Sequence, residues 1–168
     1  GNTDARSDQC KKCGNELEAE KLIEPRSKVD GSTPELRETE HFFLDLSSLE
    51  PQIEDFLKAR ESYWRPNVLR QSLGTIQSVG LKPTSITRDL DWGIPVPLAD
   101  WKGKSLYVWF EAVMGYLSSA IEWSKLTGNQ DAWRDWWIDQ SAKAFYFIGK
   151  DNITFHAVTW PAELLGMG

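Results

Sequence analysis

Two short blocks of this chain concentrate the residue types that bind ligands. The first is Tyr107-Val108-Trp109-Phe110-Glu111-Ala112-Val113-Met114-Gly115-Tyr116, and the second is Phe147-Ile148-Gly149-Lys150-Asp151-Asn152-Ile153-Thr154-Phe155-His156. Each reads as a buried strand, a turn and the start of a helix. In an open parallel sheet, ligands bind beyond the carboxyl ends of the strands, where helix N-termini also point. Both blocks fall on that rim. Trp109 and Tyr116 are placed to form two walls of an apolar pocket, with Ala112 small enough to leave room and Val113 along the same first turns. In the second block Gly149 permits close backbone approach to a ligand, and Asp151 offers a carboxylate to a ribose hydroxyl. Asn152 and His156 are one turn apart, so both face the same side of a helix.

The elements that must hold these blocks can be read from hydrophobic spacing. Residues 1–35 are polar and turn-rich, with Cys10-Lys11-Lys12-Cys13-Gly14 as their compact signature. Residues 38–45 read as a strand, because aromatics and Leu cluster there before a turn. Ser47-Ser48-Leu49-Glu50 has the form of a capping box, and Leu49, Ile53, Phe56 and Leu57 continue a helix to about Arg60. Pro66 suits the first turn of a second helix, with Leu69, Leu73 and Ile76 as its stripe and Gly80 and Pro83 at its end. Residues 83–104 are irregular. Beyond them come a strand at 105–110, a helix from about Glu111 to Lys125, a strand at 143–148 and a helix from about Ile153 to Leu165. Strand–helix–strand–helix with apolar strands predicts parallel pairing through a right-handed crossover. The fold class is therefore α/β, with a boundary near residue 104 between a smaller α+β region, 1–104, and the α/β region, 105–168. Trp133, Trp136 and Trp137, at i, i+3 and i+4, read as packing in a short helix between the two expected strands.

Composition narrows the function classes. Over 168 residues, 40% hydrophobic and 26% charged residues suit a globular protein. Nine tryptophans point to aromatic packing or an aromatic-lined pocket. The net charge of −6 argues against a major phosphate-binding surface, so most of any grip on nucleic acid is expected to lie elsewhere. No apolar run reaches the roughly 20 residues of a membrane helix, and no signal peptide is visible. Cys10 and Cys13 cannot build a secreted disulfide framework, which fits a reducing cytoplasm. A chain that begins at Gly1 without Met and stops straight after a helical pattern is expected to be a domain cut from a longer protein.

The two blocks resemble the methionyl-tRNA synthetase patterns Y-V-W-[FL]-[DE]-A-[PV]-[IM]-G-Y and F-I-G-K-D-[NI]-x-x-F-H. R-E-T-E-H-F-F-L-D-L at 37–46, Ile86-Thr87-Arg88-Asp89 and Trp92-Gly93-Ile94-Pro95-Val96-Pro97 resemble that family too. The resemblance covers essentially the whole chain and implies the second half of a Rossmann-like nucleotide-binding domain, preceded by the end of an inserted (connective peptide) domain. It implies that Trp109, Ala112, Val113, Tyr116, Asn152 and His156 line a methionine side-chain pocket. It further implies that Gly149 and Asp151 contact the adenosine of ATP, and that Arg88 joins the polar network near the methionine amino and carboxylate groups. Val113 stands where many relatives have Pro, which leaves the helix start less fixed in φ. A thioether suits such a pocket, since aromatic edges attract it by about 0.3–1.5 kcal/mol per contact. The implied reaction, attack of a carboxylate on the α-phosphate of ATP, needs alignment and charge stabilisation rather than a nucleophilic triad. The implied partners are methionine, ATP and tRNA(Met), in the cytoplasm. Neither a HIGH-type nor a KMSKS-type segment occurs, so the chain alone is expected not to form the adenylate.

Cys10 and Cys13 have the spacing of a zinc knuckle, but structural zinc takes four ligands. In the resembled family such a pair joins a preceding C-x-x-C, and the position where some relatives carry another pair reads Arg26-Ser27-Lys28-Val29 here. A zinc half-site with residues 1–35 as a partial knuckle is the metal reading; a redox role finds no strand before the pair. Plainer readings stand beside the sharp ones. Trp109, Tyr116 and His156 suit a packed core, Arg88 can pair with Asp89 or Asp91, and Glu111 and Lys150 are assigned no role. Two alternative functions remain: another class I synthetase for an apolar amino acid such as leucine or valine, or a non-catalytic module for zinc or tRNA. Strands left without neighbours would expose a sheet edge through which chains self-associate.

Overall fold

A computed structural model of the chain describes Cys10, Leu17 and residues 19–168. Contacts divide it into two units, Gly1–Glu40 and His41–Gly168. In the first, a 3-10 turn spans Ala19–Lys21. A tight turn follows, closed by Ser27 N–H donating to Ser32 O at 2.8 Å and Gly31 N–H to Ser27 O at 2.9 Å. The hydroxyls of Ser27 and Ser32 surround the Asp30 carboxylate and hold its pKa down at about 2. Cys10 is buried. Cys13 lies outside the described residues, and so does the pairing of the two thiols.

The second unit carries strands β1 (Phe43–Leu44), β2 (Thr84–Ser85), β3 (Thr87–Arg88) and β4 (Ser105–Leu106). Its α-helices are α1 (Leu46–Lys58), α2 (Pro66–Val79), α3 (Val108–Leu126), α4 (Arg134–Trp137) and α5 (Trp160–Met167). α1 falls where the stripe placed it, but its cap differs from the expected box. Asp45 is the N-cap, accepting from Ser48 N–H and from the Ser47 hydroxyl. A carboxylate caps as well as a serine does, and this releases Glu50 for a longer reach. Its carboxylate accepts from Leu81 N–H and so ties α1 to the chain leaving α2. Between them Gly80 turns the chain at φ 75°, ψ 166°, a region open essentially to glycine alone.

The strands depart most from expectation. β1 pairs antiparallel with β2 in the register Phe43↔Ser85, and β3 pairs antiparallel with β4 in the register Thr87↔Leu106. Residues 84–88 therefore run between 42–44 and 105–107, with Ile86 N–H donating to Phe42 O and Tyr107 N–H to Ile86 O. The parallel pairing of 105–110 with 143–148 is not formed. Residues 143–148 join no ladder among the described residues. Beyond Tyr107, residues 108–110 have no strand neighbour among the described residues. Phe110 and Glu111 N–H groups both donate to Tyr107 O instead, and α3 begins at Val108, three residues earlier than expected.

The core is helical. Leu46, Ile53 and Leu57 of α1 and Leu69 and Ile76 of α2 pack with Ile153, Ala157, Val158 and Ala162. Elements on both sides of residue 104 thus share one interior. The last helical stretch is continuous but changes hand-spacing: 3-10 at Lys150–Asn152, π-helical at Phe155–Thr159, then α5. Trp137 of α4 packs edge-on against Trp160, rings 5.7 Å apart, the packing expected of it, whereas Trp136 is 67% exposed. No helix among the described residues is long and apolar enough to cross a membrane.

Candidate functional site

α3, residues 147–149 and the helical stretch after Gly149 line a cavity of about 270 Å³ that is open to solvent on one side. Its lining is Trp109, Ala112, Val113, Tyr116, Phe147, Ile148, Gly149, Asn152, Phe155 and His156. Every residue expected to contact a methionine side chain is there, drawn from two blocks some forty positions apart in sequence. The mechanism is helical spacing. Trp109, Ala112, Val113 and Tyr116 fall at i, i+3, i+4 and i+7 of α3, one face of a helix. Starting α3 at Val108 is what brings Trp109 onto that face. Val113 sits well inside the helix and is buried, so the valine avoids the break that a proline would impose there. The volume lies just below the range of about 300–1,000 Å³ common for ligand pockets.

The polar edge of the cavity has a defined hydrogen-bond order. His156 Nδ1 lies 2.9 Å from the backbone oxygen of Asn152, which only accepts, so Nδ1 carries the proton. His156 Nε2 lies 2.8 Å from the Tyr116 hydroxyl. In the neutral imidazole Nε2 then accepts, and Tyr116 donates to it. Tyr146 braces both rings, 5.2 Å from Tyr116 and 5.5 Å from His156; its hydroxyl accepts from Trp160 Nε1–H at 3.3 Å. On the apolar side Trp109 and Phe155 lie 5.8 Å apart. The π-helical turn at Phe155–Thr159 widens the spacing where Phe155 and His156 leave the backbone, a distortion common at functional sites. Trp109 is 50% and Tyr116 42% exposed, so the cavity opens to solvent on that side.

Phe147, Ile148 and Phe155 were not singled out as lining residues. All three belong to the second block, and the alternation of Phe147 with Gly149 and the position of Phe155 beside His156 were the available signals. Gly149 adopts φ −70°, ψ 157°, which any residue tolerates. A Cβ there would meet nothing within 4 Å. Its value is the space it leaves at the cavity wall, not an unusual conformation. Asp151 is exposed and outside the lining. Arg88 is also outside it: its guanidinium lies 3.8 Å from the centroid of the Tyr107 ring, and Nη1 donates to Thr87 O at 2.8 Å and to Ser85 O at 3.2 Å. Tyr107 directly precedes α3, so Arg88 is anchored at the root of the helix that forms the cavity wall. Among the described residues no three His, Cys, Asp or Glu side chains gather as metal ligands.

The sequence profile of the family described as tRNA synthetases class I (M) matches residues 1–168. The chain belongs to that family. Among class I (M) relatives, the methionine–tRNA ligase of Corynebacterium urealyticum is 54% identical over 169 residues, covering 99% of this chain and 27% of that protein. That of Thermobifida fusca is 54% identical over 165 residues, covering 96% and 27%. The chain thus spans about a quarter of the length of the curated relatives it matches. Among solved structures, Mycobacterium tuberculosis methionyl-tRNA synthetase in complex with methionyl-adenylate superposes with a TM-score of 0.63 at 27% identity, covering 83% of this chain and 26% of that one. Its free form gives 0.61 at 30% identity. These class I (M) neighbours place the fold in the α/β class.

Proposed function

We propose that this chain is the methionine-recognition segment of a methionine–tRNA ligase. The whole enzyme joins methionine to ATP as methionyl-adenylate, releasing pyrophosphate, and passes the methionyl group to tRNA(Met) in the cytoplasm. The observation that carries this reading is the cavity between α3 and the helix after Gly149, lined by all the residues the family pattern assigns to methionine. Trp109 and Phe155 offer ring edges to a thioether, Ala112 and Gly149 leave the volume, and the Tyr116–His156 pair sets the polar limit. A site this size excludes longer side chains by shape, worth about 10–200-fold per methylene. Gly149, in the cavity wall, and the exposed Asp151 two residues on are suited to the adenosine of ATP. Arg88 supplies the positive charge near the methionine carboxylate as it attacks the α-phosphorus, stabilising charge that develops on phosphate oxygens.

In the same reading, residues 105–168 are the second half of a Rossmann-like catalytic domain and residues 1–104 the end of an inserted domain, with 1–35 a partial zinc knuckle. Cys10 and Cys13 supply two of the four ligands of tetrahedral zinc, so the metal fits this chain only as a half-site completed by residues beyond it; zinc there would be structural. Residues 143–148, which join no ladder among the described residues, expose Phe145 and Phe147, at 77% and 97%, and give the isolated chain an apolar edge for self-association. The test is amino-acid-dependent ATP–pyrophosphate exchange by the full-length protein. Exchange with methionine, at least about 100-fold above leucine or valine, supports the reading; preference for leucine or valine would point to another class I ligase. Absence of exchange combined with tight, salt-sensitive tRNA binding would favour a non-catalytic module.

A further inference from the structure

Arg88 owes its geometry to a buried polar relay that starts at the first residue of the second unit. Thr87, fully buried, accepts through Oγ1 from Phe42 N–H at 3.1 Å and lies 3.0 Å from His41 Nδ1. The hydroxyl already has a donor in Phe42, so its own proton is free to go to His41 Nδ1. That leaves His41 protonated on Nε2, which faces Asp89 Oδ2 at 3.7 Å. The other oxygen of Asp89 accepts from Lys104 Nζ at 2.6 Å. Burial lowers the His41 pKa, and the Lys104 and Arg88 cations lower it further against the opposing pull of Asp89; the neutral ring this favours is the form the relay requires. Thr87 and Asp89 are the two chain neighbours of Arg88. Thr87 O and Ser85 O and Oγ are also the acceptors of Arg88 Nη1.

We propose that His41 is a positioning residue for Arg88, clamping the backbone on both sides of it through Thr87 and Asp89 so that the guanidinium stays on the Tyr107 ring. This rests on the reading of Arg88 as a group acting in methionine activation. The hydrogen-bond and ion-pair partners of His41, Thr87 and Asp89, are not among the residues lining the cavity, so methionine binding itself is not its task.

The test uses the full-length ligase and the exchange assay, with thermal midpoints recorded for every variant. His41→Ala is expected to lower kcat about 10- to 100-fold, as a misplacement on the order of 1 Å does, while KM for methionine changes less than about two-fold. His41→Asn, whose Oδ1 can accept from Thr87 in place of Nδ1, is expected to recover most of the rate. His41→Gln keeps bulk and carries its amide at the reach of Nε2, toward Asp89, with its acceptor one methylene beyond the Nδ1 position, and is expected to lose rate like alanine; it decides the matter if His41→Ala folds poorly. Arg88→Ala is expected to lower kcat on its own, and His41→Ala added to it is expected to change nothing more. Wild-type kcat in both His41→Ala and His41→Gln, or losses that multiply in the double variant, would overturn the positioning role while leaving the function intact. Absence of methionine-dependent exchange in the unmodified enzyme, or full activity of Arg88→Ala, would instead remove the reading on which it rests.

Discussion

Glu163 lies on α5 with both carboxylate oxygens buried and without a hydrogen-bond partner among the described residues. Burial alone raises its pKa from 4.5 to about 8. An unfolded chain releases this proton near 4.5, whereas the folded chain keeps it to about pH 8. Below the lower value both states are protonated and pH has no effect through this group. Between the two values the folded state binds more protons than the unfolded one, so stability falls as pH rises. The slope approaches about 1.4 kcal/mol per pH unit, with a ceiling near 5 kcal/mol across the window. Above pH 8 the curve flattens. Glu163→Gln has the same shape and no ionisation, so it removes that slope; its amide leaves buried donors unpaired, at a cost of about 1–3 kcal/mol. The substitution is therefore expected to destabilise near pH 5 and to stabilise near pH 8. Urea unfolding of both forms from pH 5 to 8.5 reads the difference directly, because all other titrations cancel. A difference independent of pH would show that Glu163 is not held neutral in an apolar interior.

Three further outcomes are open to measurement. Tyr116→Phe deletes the hydroxyl that donates to His156 at 2.8 Å; the loss of about 0.5–1.5 kcal/mol corresponds to a KM for methionine raised roughly 2- to 12-fold, and an unchanged KM would place the pair outside binding. Gly80→Ala forces a side chain into a glycine-only backbone region and brings its Cβ to 3.3 Å from the Glu50 carboxylate. Denaturant melts are expected to show a loss of about 1–3 kcal/mol. Leu57, fully enclosed between α1, α2 and the last helix, is expected to cost about 2–5 kcal/mol on truncation to alanine; a loss under 1 kcal/mol would contradict the shared core.

The helices were legible because their information is local. Leu49, Ile53, Phe56 and Leu57 repeat at helical spacing, and the same arithmetic put Ala112, Val113 and Tyr116 along one helix and Asn152 with His156 on one side of another. Trp109 read as part of the preceding strand and joins the Ala112 face only because α3 starts at Val108. The full set of cavity residues was legible through the family pattern, with helical spacing accounting for only part of it. Strand pairing is not local. Residues 143–148 carry strand-forming side chains, but a ladder needs a neighbour, and the neighbours found near residues 84–88 were short segments with no alternating pattern to mark them. Two consequences followed from that single fact: α3 starts early, at Val108, and the sheet contacts are antiparallel. The cap of α1 was misplaced because Asp45 and Ser47 are both good caps, and the competing demand on Glu50 comes from Leu81, far away in sequence. The π-helical turn that aims Phe155 and His156 leaves no pattern in a sequence read at regular helical spacing.

The most direct measurement is a crystal structure of the full-length protein with bound methionine. The thioether sulfur is expected within about 5 Å of the Trp109 or Phe155 ring edges, between α3 and the helix after Gly149, with the Tyr116–His156 pair closing the polar side. Methionine bound elsewhere, with this cavity empty or collapsed, would contradict the account.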